Sequence, residues 1–202
     1  MAVNFAPSTK KDSTPESIVC PLSASGVYQL AMKVGHSLQD VYSDLLNSCQ
    51  DNVCREVLEQ FIQEQTQELE IMNRHFLLAL NAELARFYDS GGLLMETDEV
   101  KNQLEEPRSV IIHNLENFYR ELDSLIAIAK NSSETHHRFF DVGNPAELYL
   151  LCIELRQNLA DMCARLSCLY PRQEISQSFT AIEVLVLQGN TRLRRMANAH
   201  LL

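Results

Sequence analysis

The chain has 202 residues, 46% of them apolar and 22% charged, a globular composition that excludes wholesale disorder and fits one domain around a single core. Seventeen Lys and Arg against 27 Asp and Glu leave a net charge of −10, which argues against a broad basic face for nucleic acid. Six Gly and six Pro are few for a protein of many tight β-turns, and no apolar run reaches the ~18–20 residues of a membrane span. The start, Met1-Ala-Val-Asn-Phe-Ala-Pro7, lacks a basic stretch followed by an apolar one, so a cytoplasmic protein with no membrane contact is expected.

Residues 1–22 hold three of the six prolines and show no apolar period, which reads as a flexible N-terminal arm. The remainder, 23–202, reads as a single helical domain. From Leu22 to Glu106 there is no proline, and helical spacing begins at once. Val27, Leu30, Val34, Leu38, Val41 and Leu45 predict a helix from Ser23 or Ser25 to about Ser48. Asp51 or Asn52 caps a longer helix with the stripe Leu58, Phe61, Ile62, Gln65, Leu69, Met72, Phe76, Leu80 and Leu84, ending at Asp89-Ser-Gly91-Gly92. These two form a hairpin, 23–89. A crossover, 90–143, follows. In it Thr97 suggests a short helix start, and Pro107 opens an extra helix running to about Lys130. Asn131 to Gly143 reads as a polar loop. A second hairpin, 144–200, starts at Asn144-Pro145-Ala-Glu147, with a cap, proline at the first helical position and an acid two residues on. Its first helix carries Leu148, Leu151, Cys152, Leu155, Leu159, Met162 and Leu166 and stops at Tyr170-Pro171. Its second spans about Gln173 to Ala199, with Ile182, Leu185, Val186, Gly189, Leu193 and Met196 inward. No stretch alternates at period two for long enough to require a sheet, so the expected class is all-α.

The two hairpins match each other. A shift of 121 places the cap Ser23 on Asn144, Tyr28 on Tyr149, and the first apolar stripe on the third. A shift of 124 places Leu58, Phe61, Ile62, Leu69 and Met72 on Ile182, Leu185, Val186, Leu193 and Met196. Hairpin, long crossover, hairpin is the connectivity of a four-helix bundle with one crossover. With the run Gly35-His36-Ser-Leu-Gln-Asp-Val-Tyr42, where a glutamate often precedes a tyrosine by about seven residues, the chain resembles the ferritin-like superfamily in its rubrerythrin-like branch.

That resemblance implies a di-iron or di-manganese centre built from a glutamate on one helix of each pair and Glu-x-x-His on the other. Most of those ligands are missing. The inward centre of the second helix falls at Gln65 and Glu68, and its repeat partner at Gly189 and Arg192; no Glu-x-x-His occurs in either frame. The first-helix positions fall near Gly35 or His36 and near Arg156 or Gln157, with Glu154 beside the apolar stripe. An arginine facing two cations is repulsive, and glycine offers no ligand. The expectation is therefore no cofactor and a non-catalytic interaction or structural module, with a homodimer or a protein partner. The alternative, a metal-binding oxidoreductase or iron handler, needs Glu64, Glu68, Glu154 and His36 to converge. Otherwise Glu64 and Glu68 read as solvated or flanking the core. Gln65, within the core stripe, is expected to hydrogen-bond to a facing helix, because a buried amide left unpaired costs about 1–3 kcal/mol.

A second alternative is a histidine phosphotransfer module, since His36-Ser-Leu-Gln-Asp40 resembles the phosphorylated segment of those bundles. That chemistry needs an exposed histidine with a nearby lysine and glycine; Gln39 and Asp40 stand there instead, and an acid repels phosphate. The cysteines are Cys20, Cys49, Cys54, Cys152, Cys163 and Cys168. Cys49, Cys54 and Cys168 flank the hairpin turns, whereas Cys152 and Cys163 read as small core residues with reduced thiols. His136-His137-Arg138-Phe139-Phe140 reads as aromatic packing of the crossover, and Arg192, Arg194 and Arg195 as complements to a helix dipole.

Overall fold

The computed structural model describes residues 23–90, 105–134 and 145–200. Among them there are five helices and no strand: α1 (Ala24–Ser48), α2 (Asn52–Asp89), α3 (Glu105–Glu134), α4 (Pro145–Leu169) and α5 (Gln173–His200). The all-α expectation holds. No helix among the described residues is long and apolar enough to cross a membrane. The N-terminal arm, the start near Thr97, the His136–Phe140 stretch, the Asn144 cap and Cys20 lie outside the described residues.

Local chemistry fixes the helix ends. Ser23 is the first cap, its hydroxyl accepting from Gly26 N at 3.2 Å. Asp51 caps α2 through Cys54 N at 2.9 Å. Between them Arg55 Nη1 donates to the Leu46 and Cys49 carbonyls at 2.8 and 3.1 Å, occupying acceptors that the end of α1 leaves free. α3 departs from expectation at both ends. It begins two residues before Pro107, which a proline in the first turn permits because no intrahelical donor is needed there. Glu105 and Glu106 add favourable charge at that terminus. It also runs through Asn131-Ser-Ser-Glu134, residues of modest helix propensity but without a glycine or proline to stop propagation.

Contacts at both ends of each pair give the helix directions. Ser25 N donates to Glu83 Oε1 at 2.8 Å while Gly35 faces Gln65 and Leu69, so α1 and α2 are antiparallel. Ser176 Oγ reaches Ser167 O at 2.6 Å and Arg156 reaches Asn190, so α4 and α5 are antiparallel. Arg86–Glu174 and Arg192–Glu64 run α2 against α5. It follows that α2 and α4 point the same way, which only a long connection allows. α3, in that connection, packs on α1 and α4, one helix from each hairpin. Its Ile111, Leu115, Phe118 and Leu122 belong to the same core cluster as Leu38, Phe61, Leu155 and Ile182. The extra helix is part of the core.

Candidate functional site

Midway along the helices the apolar stripes are interrupted by a cluster of buried polar side chains: Gln65 and Glu68 from α2, Arg156 from α4 and Asn190 from α5. Arg156 is the largest fully buried side chain among the described residues, 1% exposed. Its guanidinium distributes donors to three partners. Nε donates to Asn190 Oδ1 at 2.9 Å, Nη1 to Gln65 Oε1 at 3.1 Å, and Nη2 to the Glu68 carboxylate. Gln65 thus bonds to a facing helix as its place in the core stripe predicts. A second ion pair lies one turn out: Arg192 Nε and Nη2 meet Glu64 Oε2 at 2.9 and 2.8 Å.

Two glycines make room for this cluster. A Cβ on Gly189 would overlap Glu68 Oε1 and Arg156 Nη2, and one on Gly35 would meet Leu69 Cδ2 at 2.8 Å and Gln65 Nε2 at 2.9 Å. Each glycine sits inside a helix, where it costs about 0.5–1 kcal/mol relative to alanine, and close packing accounts for it.

Burial pushes the Glu68 carboxyl above its ordinary value, with the Arg156 guanidinium pulling the other way. Burial also opposes charge on Arg156, but Glu68 and the cluster around it keep the guanidinium protonated. Beside the pair, Tyr42 is wholly buried and its phenol is held well above the ordinary range, first by burial and then by the Cys152 thiol. The Tyr42 hydroxyl has no oxygen or nitrogen partner among the described residues, and neither has Asn190 Nδ2. Burial pushes the Cys152 thiol up to about 12 and raises Cys163 as well, so both are inert protonated thiols. An aromatic series joins the cluster to the rest of the core: Tyr42 against Phe61 at 5.6 Å and Phe61 against Tyr149 at 5.2 Å between ring centroids.

Of the four residues singled out for metal, Glu68 lies in the buried cluster and Glu64 is mostly buried in its ion pair with Arg192, whereas Glu154 and His36 are exposed. Among the described residues no group of three or more His, Cys, Asp or Glu is placed to hold a metal ion. The reading of Glu68 as a solvated or flanking acid is corrected: it is 1% exposed, because Gly189 leaves space and Arg156 supplies a counter-charge. Arg192 is corrected too, since it pairs with Glu64 rather than serving the helix end. Cys49 and Cys54 are buried and Cys168 is exposed. The parts sequence reasoning missed are Arg156 as the centre and Asn190 as its partner. The available signals were a basic residue between Leu155 and Leu159 in an apolar stripe, and two glycines at inward helix positions.

The chain matches no protein-family model, and neither a curated protein nor a solved structure is significantly similar to it.

Proposed function

We propose that this chain is a ferritin-like four-helix bundle, extended by α3, whose centre is filled by its own guanidinium and which acts as a non-catalytic interaction or structural module. The observation that carries the reading is Arg156, buried at the middle of the helices and bonded to Gln65, Glu68 and Asn190. The repeat gives this a further logic. Arg156 corresponds to Gly35, Gln65 to Gly189 and Glu68 to Arg192, so equivalent positions of the two hairpins carry large against small and acid against base.

The residues present do not suit a di-metal centre. The two acids nearest the middle are each bound by an arginine, and a guanidinium between them would repel divalent cations. Among the described residues the centre is occupied by the Arg156–Glu68 pair, and the Cys152 thiol beside it is raised rather than lowered by burial. Metal analysis of the untagged protein tests this directly. After exposure to iron or manganese and desalting, far less than one metal per chain is expected; two per chain would overturn the reading.

A further inference from the structure

The C-terminal part of α2 commits one side to the fold. Phe76 and Ala79 pack on the core, Glu83 binds the start of α1 and Arg86 pairs with Glu174 of α5. A flank of the same segment carries Leu77, Leu80, Leu84 and Phe87, spaced three, four and three residues apart, with Tyr88 beside them. Leu77 is 49% exposed, Leu84 44% and Tyr88 76%. This is the a/d spacing of a coiled-coil seam over two heptads. We propose that this flank is a self-association surface, on which a second copy of the chain lays its own α2 antiparallel.

The occupant follows from the seam's self-complementarity. In an antiparallel pair a positions face d positions, so Leu77 meets Phe87 and Leu80 meets Leu84 of the second copy, each contact occurring twice about the two-fold axis. The same register sets the flanking positions against each other. Asn81 meets Asn81, where two amides can exchange hydrogen bonds, and Arg74 lies over the second copy's Tyr88 with Asp89 next to it. Arg74 can reach it, since among the described residues its ion pair is an exposed one with Glu70 at 3.8 Å. Glu83, which would face its own copy, has its carboxylate turned onto Ser25 N and Oγ. A seam about 17 Å long covers about three helical turns, which buries less than the roughly 800 Å² per partner of a standard interface, so the dimer belongs to the weak class.

This inference rests on the chain's being an interaction module, but its test is separate from metal content. Sedimentation velocity of the full chain, from low to high micromolar concentration, is expected to show a reversible monomer–dimer equilibrium. Leu84→Glu and Leu80→Lys should each weaken it about 100-fold, and Tyr88→Ser about 10-fold. An equimolar mixture of the Leu84→Glu and Leu80→Lys chains should recover a heterodimer, because the introduced acid and base then meet. Tyr88→Ser removes only an exposed ring, so it reports on association even if the charged variants lose helicity. A chain that is monomeric throughout, or a dimer indifferent to all three changes, overturns the proposal. Either result leaves the reading of the helix centre intact.

Discussion

Arg156→Met leaves the Glu68 carboxylate buried without its hydrogen-bonded counter-charge, a change that costs about 3–5 kcal/mol at neutral pH. Replacing both partners, as Arg156→Met with Glu68→Leu, is expected to recover most of that loss, because burying two charges carries its own desolvation cost. Urea unfolding of the two single variants and the double variant measures the coupling; additive losses would mean that the pair is not a unit. The pH dependence has a definite sign. Burial raises Glu68 even with Arg156 present, and without that guanidinium only the weaker pull of Arg192 opposes the rise. A carboxyl whose folded pKa is raised stabilises the fold below its unfolded pKa, and that contribution is lost as pH rises through the folded value. The deficit of Arg156→Met should therefore be larger at pH 7 than near pH 5, and an equal deficit at both would contradict the assignment. Gly189→Ala tests the same cluster from the other side: its methyl displaces both charged groups, an overpacking expected to cost about 1–3 kcal/mol or more. The position of this cluster was legible in the sequence through Gln65, Glu68 and Gly189 in the inward stripes. Its chemistry was not, because periodicity gives the face a residue occupies and not the partner it finds across the helices.

At the level of the element, α3 separates a helix that merely spans the crossover from one that the core requires. Ile111, Leu115, Phe118 and Leu122 are buried in the common cluster, and the Tyr119 hydroxyl lies 3.4 Å from Ser37 Oγ on α1. Leu115→Ala is expected to cost about 2–5 kcal/mol and Phe118→Ala about 3–5. Leu150→Ala on the exposed side of α4 should stay within about 0.5 kcal/mol. Thermal unfolding followed by far-UV circular dichroism decides this, and an α3 variant as mild as the α4 control would place α3 outside the cooperative core. Four of the five helices were legible to within a residue or two, because caps such as Ser23 and Asp51 and breakers such as Pro171 are local chemistry. The far end of α3 was not legible. Asn131 to Glu134 carry neither a breaker nor an apolar stripe, so nothing local marks where propagation ceases.

At the scale of the whole molecule, one contiguous core spans all five helices, and the two ion pairs tie α2 to both helices of the second hairpin. A core shared in this way is expected to make the hairpins open together. The chain contains no tryptophan, so its cysteines are the better reporters. Cys49 and Cys54 are buried in the first hairpin, Cys152 and Cys163 in the second, while Cys168 is exposed. Burial raises both Cys152 and Cys163, which therefore react only through opening of the fold. Under native conditions a thiol reagent should modify Cys168 at once. The four buried thiols should follow slowly, with a common opening free energy that matches global unfolding by denaturant. Site-resolved mass spectrometry gives each rate. If Cys49 and Cys54 opened at a markedly lower free energy than Cys152 and Cys163, the first hairpin would be a separate folding unit. The central ion cluster would then be a contact between two units and not the middle of one core.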